Sequence, residues 1–371
     1  MRILLDYRPA LRQRTGVGQY VHELGSALVP LLRSGERLVL FSSSWKDRLR
    51  GDAVAGAERV DARIPVRVLN LAWHRLEWPP VEWLAGAVDV AHSSHPLLMP
   101  ARRAVRVVSV YDLDFLTHPE RTRAEIRRDY PALAARHANR ADLVVTISEH
   151  SARMIREQLR VPPERIVICR PGAPAGGVPR QPPAAGGPIL FVGTIEPRKN
   201  LPALFKAYAR VASRRPDAPP LVLAGAEVEH SRSILASLDA HAELNGRVRY
   251  LGYVSDEERQ RLYAEASMLV IPSLEEGFGL TAVEAMQSGV PVVASRRGAL
   301  PEVVGDAGTL VDPADDEDLA RAIDDLLRDS ALRARHAAAG PVRARLFSWS
   351  DSAARLLDAY RDAFARRQSA W

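Results

Sequence analysis

The residues whose types and spacing could do chemistry gather in "SLEEGFGLTAVEAMQSGVPVVAS", residues 273–295. Glu276 and Glu284 flank a turn made of Gly277, Phe278 and Gly279, and a short alanine-rich helix should start near Leu280 and stop at Gly289. The two turn glycines free the backbone for a tight bend and for close approach of a ligand. The first amides of that helix, at Leu280 and Thr281, would carry partial positive charge and offer a seat for phosphate. Glu284 would lie roughly 6 Å further along the axis, where a carboxylate can accept from two vicinal hydroxyls such as those of a ribose. Glu276 would face whatever lies on the far side of the phosphates. The spacing suits an elongated ligand with a sugar at each end and phosphates between. By itself it leaves open a surface Glu276 and a solvated Glu284.

A second stretch narrows the choice. "FVGTIEPRKN", residues 191–200, runs from an apolar strand into a loop bearing Arg198 and Lys199 and then into a helix. Ligands of parallel α/β sheets bind outside the carboxyl ends of the strands. A guanidinium and an ammonium together there can neutralise a diphosphate. Lysine is scarce in this chain (Lys46, Lys199 and Lys206 only), so its use at a strand end favours a ligand over a solvated turn. Near the start, "LLDYRPALRQRTGVGQY" is a strand, a loop, and Gly16 and Gly18 opening a helix. It is no dinucleotide fingerprint, because Val21 stands where the third glycine belongs. Its glycine-freed amides could still meet a phosphate or a second substrate.

The elements that must position these residues alternate between apolar runs and amphipathic stretches. Strands are expected at 3–5, 38–41, 66–69, 88–91, 105–110, 143–147 and 166–169, with helices between, one carrying Val17, Val21, Leu24 and Leu28 on a stripe. Ser148 should cap the helix that follows it. Residues 171–188, "PGAPAGGVPRQPPAAGGP", are too rich in proline and glycine for either element and read as a linker. The pattern then restarts with "ILFVG", "LVLAG", "VRYLG", "MLVIP" and "VPVVAS". Such alternation predicts two doubly wound parallel α/β domains in tandem, which the length of 371 residues accommodates. The single cysteine, Cys169, excludes an internal disulfide. With no signal peptide and no long apolar run, the expectation is a cytoplasmic protein without a transmembrane helix. Net charge is +6, almost all from arginine, which favours anionic partners, but no recognised nucleic-acid module is present.

Together these motifs resemble the retaining glycosyltransferases of family 4 (glycosyl transferase group 1). The E-x7-E signature with "GFGL" matches Glu276 to Glu284, the diphosphate loop matches "GTIEPRKN", and the first-domain glycine loop matches "TGVGQY". "ADLVVTISEHS" and "HPE" are similar to the family as well. The resemblance implies the GT-B architecture, two Rossmann-like domains facing each other across a cleft. Residues 1–172 would be the acceptor domain, 173–187 the linker and 188–349 the nucleotide-sugar domain, with a final helix, 350–371, crossing back to the first. By position, Glu276 would hold donor-sugar hydroxyls, with Gly277, Phe278 and Gly279 lining that sugar and Leu280 and Thr281 at the phosphates. Glu284 would hold the ribose, Arg198 and Lys199 the diphosphate, and Val254 the base. Gly16, with Gly18 beside it, would approach the phosphates from the first domain. Where many members have His-Asp, this chain has Tyr111 and Asp112, and tyrosine is a poor proton shuttle at neutral pH.

The implied reaction is retaining hexosyl transfer from a nucleotide diphosphate, with a mild preference for GDP-mannose. The acceptor would be a glycan or a lipid-linked hydroxyl in polysaccharide or glycoconjugate synthesis, and no cofactor or metal is expected. The "DLD" of residues 112–114 is discounted as a metal motif because so short a pattern arises by chance. A sugar-nucleotide epimerase and a catalytically weak binding subunit are the rival readings. "LAWHRLEWPPVEWL" concentrates Trp73, Trp78 and Trp83, which reads first as local packing and second as an acceptor or lipid-headgroup surface. Arg121, Arg123, Arg127 and Arg128 are either a solvated helix face or an attraction for anionic lipid, so peripheral contact at the inner face of a membrane stays open.

Overall fold

A computed structural model describes all residues except 12–15, 50–52, 122–123, 174–185, 229 and 370–371, and the side chains of 121–129 are likewise left aside. Two compact units result, one of residues 1–171 with 348–371, the other of residues 172–347. Most of the expected linker, and Arg121, Arg123, Arg127 and Arg128, lie outside the described residues and side chains.

The first unit is built on seven strands: β1 (Arg2–Asp6), β2 (Arg37–Ser42), β3 (Glu58–Asp61), β4 (Val90–Ser93), β5 (Val105–Ser109), β6 (Leu143–Thr146) and β7 (Ile166–Ile168). They lie in the order β3-β2-β1-β4-β5-β6-β7, all parallel. Central strands such as "RLVLFS" are apolar on both faces because helices cover both, and the polar "ERVD" of β3 takes an edge. That edge strand carries no apolar run, which is why the sequence pattern passes over it. The expected strand at 66–69 is instead the helix Val66–Leu71, entered from Pro65. Leu69 and Trp73, one turn apart, are its buried face, so the apolar run is serving a helical period. Ser148 caps as expected, its side chain accepting from the Ser151 amide. In the helix Val17–Leu28 the buried stripe is Tyr20, Val21, Leu24 and Leu28, with Val17 on the exposed first turn.

The chain's last helix, Trp349–Ser369, belongs to this unit. It buries Leu356, Leu357 and Tyr360, and Arg361 forms an ion pair with Glu36 at 2.7 Å. Tyr360 is bonded to His92 of β4, hydroxyl to Nδ1 at 2.5 Å, and His92 Nε2 lies 2.8 Å from Ser109 Oγ on β5. Burial lowers the His92 pKa to about 3, so the ring is neutral and can accept from the phenol while donating to the serine.

In the second unit β8 (Ile189–Val192), β9 (Leu221–Ala224), β10 (Val248–Tyr250), β11 (Met268–Ile271), β12 (Val292–Ser295) and β13 (Thr309–Val311) form a parallel sheet of order β10-β9-β8-β11-β12-β13. One face is covered by the helices Leu201–Arg214 and Asp316–Arg328. The first buries Leu201, Leu204, Phe205, Tyr208 and Val211, the second Leu319, Ile323 and Leu326, each set at helical spacing. Ion pairs Arg210–Asp316 at 2.7 Å and Arg214–Glu317 at 2.8 Å tie their exposed edges. In each sheet the strand order reverses beside the first strand, between β1 and β4 and between β8 and β11. Those reversals are where parallel sheets open a crevice for ligands.

Replacing Tyr360 by Phe should leave the buried Nδ1 of His92 without a donor and destabilise the unit by about 1–3 kcal/mol. Denaturant unfolding followed by circular dichroism measures this. An unchanged midpoint would mean that the hydroxyl does not anchor the last helix.

Candidate active site

The reversal between β8 and β11 brings two loops together. After β8, Pro197–Lys199 form a helical turn, and Asn200 adopts a left-handed φ of 55° before the helix Leu201–Arg214. The Asn200 side chain donates from Nδ2 to the carbonyls of Pro272 at 3.2 Å and Pro313 at 2.9 Å, pinning this loop to those following β11 and β13. The Leu274 amide donates to the Arg198 carbonyl at 2.8 Å. Between the loops sits Glu276, only 6% exposed.

Its carboxylate is surrounded by donors. Lys199 Nζ bonds to Oε1, Ser273 Oγ donates to the same oxygen at 2.9 Å, and Arg198 Nη1 donates to Oε2 at 3.2 Å. Arg198 Nε also pairs with Glu196 at 2.7 Å. Burial alone would raise the Glu276 pKa, but the charges of Lys199 and Arg198 and the bonds from Lys199 and Ser273 outweigh it and hold the group at about 2. The backbone is equally constrained. The Ala299 amide donates to the Glu276 carbonyl at 2.9 Å, and a Cβ on Gly298, whose φ is +61°, would stand 2.5 Å from that oxygen.

Gly279, in left-handed conformation at φ 98°, precedes the helix Leu280–Gln287, and Gly289 follows it at φ 68°. The amides of Leu280 and Thr281 open the helix and have no intrahelical acceptor. Phe278 is buried edge-to-face against Phe347 at 5.4 Å. Glu284 is 6% exposed, far from the solvated position that spacing left open. It accepts from the Tyr263 hydroxyl at 2.9 Å and lies 3.1 Å from Arg259 Nε. Both partners sit one turn apart on the helix Asp256–Glu265, which follows Val254 and is capped by Ser255 and Glu258. Arg259, Tyr263 and Ser273 were missed from sequence. The i, i+4 spacing of an arginine and a tyrosine was the available signal, but nothing in it names a carboxylate on another helix.

In the first unit, Gly16 starts the helix Val17–Leu28 at φ 49° with open space where a Cβ would be. Gly18 is buried, and a Cβ there would come 2.6 Å from the Pro9 carbonyl oxygen, so its lack of a side chain already has a packing reason. The Tyr111 ring packs edge-to-face on Tyr20 at 5.2 Å, and burial pushes its hydroxyl well above the usual phenol range. Asp112 Oδ1 accepts from the Asp114 amide at 3.2 Å, so "DLD" builds the turn into the helix Asp114–Thr117. Among the described residues no group of three or more His, Cys, Asp or Glu is placed to hold a metal ion. At the reversal between β1 and β4, the fully buried Asp6 binds Arg8 through two bonds of 2.8 and 2.7 Å, with His95 Nε2 at 3.5 Å. Sequence reading missed this cluster too. Beside it a cavity of about 900 Å³ is lined by Arg8, Trp45, Lys46, Arg67 and Asn70 among others.

Two doubly wound parallel α/β units in one chain, each with its strand order reversing beside the first strand, are the GT-B class of architecture. The chain belongs to glycosyltransferase family 4: residues 14–175 match Glycosyltransferase Family 4 and residues 185–343 match glycosyl transferases group 1. O-antigen chain mannosyltransferase B of Escherichia coli is 32% identical over 97% of this chain and 100% of that protein. Among solved structures, sucrose-phosphate synthase from Thermosynechococcus elongatus superposes with a TM-score of 0.78, covering 98% of this chain and 99% of that one at 21% identity. HepE from Anabaena, solved in complex with UDP and glucose, gives 0.73 over 98% and 100% of the two chains, also at 21% identity. At such identities the likeness establishes the fold.

Because the folded pKa of Glu276 lies near 2 against an ordinary 4.5, its stabilising contribution is complete above pH 4.5 and is lost as pH falls through 2. That loss should be on the order of 3 kcal/mol. Urea unfolding across this window should show a shallower pH dependence for Glu276→Gln than for the parent. Equal slopes would mean that another group titrates there.

Proposed function

We propose that the protein transfers a hexose, with mannose from GDP-mannose as the preferred donor, to a hydroxyl of a glycan or lipid-linked acceptor in surface polysaccharide or glycoconjugate synthesis. The transfer retains the configuration at the anomeric carbon and uses no metal ion. The observation that carries this reading is Glu276 held by Lys199, Arg198 and Ser273 at the carboxyl ends of β8 and β11, with the helix bearing Glu284 starting just beyond. The mannosyl preference is supported by the name of the Escherichia coli relative.

In this reading the bond from the sugar's anomeric carbon to the donor phosphate oxygen breaks and a bond to the acceptor oxygen forms on the same face. The acceptor's proton passes to an oxygen of the departing diphosphate. A carboxyl group with a pKa near 2 is a weak base, which speaks against Glu276 as the proton acceptor and for a role in orienting donor hydroxyls. Lys199 has three donors, so one bond to Glu276 leaves capacity for phosphate oxygens. With Arg198 and the amides of Leu280 and Thr281, it would stabilise the developing charge. Glu284 would take the ribose hydroxyls, Val254 and its neighbours the base, and Gly277 and Gly279 the backbone approach to the sugar. The cavity beside Arg8, of a size usual for small-molecule sites, together with Tyr111 and Asp112 would serve the acceptor side.

A second reading rests on Tyr111, whose ring is committed to Tyr20 and whose hydroxyl is a poor proton shuttle: a nucleotide-sugar-binding subunit with weak turnover. Calorimetric titration with GDP, UDP and ADP, followed by turnover with GDP-mannose, separates the two. Selective GDP binding, weakened in Glu284→Ala, with turnover lowered about a hundredfold in Lys199→Ala, is the expected result. Binding without turnover across acceptors would select the subunit reading, and no binding to any of the three nucleotides would sink both.

A further inference from the structure

Eleven large hydrophobic residues are exposed among the described residues, and five of them, Val68, Leu71, Leu76, Trp78 and Trp83, fall within one short segment of the first unit. Their exposures run from 54% at Trp78 to 71% at Leu76, so the segment is not merely fraying at an edge. The helix Val66–Leu71 continues through the wider turn Ala72–Leu76 and buries Leu69 and Trp73 beneath it. Trp73 is fixed there, stacked on Phe41 at 5.7 Å and donating from Nε1 to the Pro79 carbonyl at 3.0 Å. A surface helix normally turns polar residues outward. Here the outward stripe at helical spacing carries Val68 and Leu71 with Arg75, so apolar residues lie on both faces and the outer ones stay exposed.

The outer aromatics are arranged as a group. Trp78 and Trp83 meet edge-to-face at 5.7 Å, and the Arg102 guanidinium lies 5.1 Å from the centre of the Trp83 ring. Arg75 is exposed on the same segment, and Arg102 and Arg103, tied to Glu82 through their amides, are exposed beside Trp83. Within residues 66–83 the acids are Glu77 and Glu82, and both are engaged. Glu77 is bound by Arg140 from a neighbouring helix, and Glu82 accepts from the amides of Arg102 and Arg103 at 2.8 and 3.0 Å.

We propose that this surface, Val68, Leu71, Leu76, Trp78 and Trp83 with the exposed Arg75, Arg102 and Arg103, docks the protein on an anionic lipid bilayer. Tryptophan prefers the boundary between headgroups and acyl chains, and a short helix with apolar and arginine residues outward lies in that plane. The arginines complement a negatively charged leaflet. A second copy of the chain is the poorer occupant, because a symmetric interface would set arginines against arginines. No described helix is long and apolar enough to cross a membrane, so the contact is interfacial. Nothing in this depends on the donor site, which lies in the other unit.

The test is co-sedimentation of the full chain with vesicles of phosphatidylcholine alone and with vesicles of phosphatidylcholine and phosphatidylglycerol in equal parts. Binding to the anionic vesicles only, released by molar salt, is expected. The pair Trp78→Ser and Trp83→Ser should weaken partitioning by about tenfold or more. Arg75→Gln with Arg102→Gln should abolish the preference for anionic lipid. All four side chains are exposed, so thermal unfolding and nucleotide binding should stay as in the parent, which separates lost docking from lost folding. Equal sedimentation with both vesicle types, binding indifferent to the tryptophan pair, or a solution dimer that the same substitutions dissociate would each overturn the proposal.

Discussion

A carboxylate buried in a protein must be paired or neutralised, and in this enzyme that constraint organises the end of the second sheet. Glu276 stays ionised because Lys199 and Arg198 reach it from the loop after β8 while Ser273 reaches it from its own loop after β11. Satisfying one acid therefore fastens two strands' loops across the reversal of strand order. The surrounding backbone follows from the same demand. Asn200 has to turn left-handed to start its helix while pinning the neighbouring loops, and Gly298 has to lack a side chain so that the chain can pass against Glu276.

Glu284 obeys the rule with different partners. It lies on the buried side of a short helix and is met by Tyr263 and Arg259 from a helix elsewhere in the sequence. The loop that carries Val254 leads directly into that helix, so the group proposed to meet the base and the group proposed to meet the ribose are held by one element. The two glutamates of the signature are thus anchored separately, one to β8's loop and one to the helix Asp256–Glu265. A ligand spanning both would contact two independently braced ends of one site. Such bracing limits how far either carboxylate can drift from a productive position.

What was legible in the sequence divides along physical lines. Central strands were readable because apolar runs buried on both faces leave a strong pattern, and the helix Leu280–Gln287 because glycines bracket it. The edge strands β3 and β13 were not readable, being short and only partly buried. Residues 66–69 were misread because a short apolar run suits either period, and only the packing of Leu69 and Trp73 one turn apart decides for the helix. The three tryptophans nearby were read as one group, first as packing and second as an acceptor or lipid-headgroup surface, whereas the structure divides them, burying Trp73 and exposing Trp78 and Trp83. Glu276 and Glu284 were identifiable as a pair, but their partners were not, since Arg259 and Tyr263 acquire meaning only through tertiary contact.

The first sheet makes a revealing comparison, because it places a buried acid at its own reversal point as well. Asp6 is matched by the two-bond fork of Arg8, with Asn70 accepting from the same guanidinium at 2.8 Å and the Trp73 ring 5.3 Å beneath it. Burial again opposes ionisation and the arginine again overcomes it, holding Asp6 below the ordinary carboxylate range. The difference lies in how completely the cation is used. Arg8 is almost enclosed, its fork filled by Asp6 and Asn70, whereas Arg198 is 24% exposed and Lys199 keeps two of its three donors beyond the bond to Glu276. An ion pair saturated by its neighbours can brace a fold but has nothing left to offer a ligand. One left with spare donors at a strand end can brace the fold and bind an anion, and of the Asp6 and Glu276 pairs it is the latter that has that form.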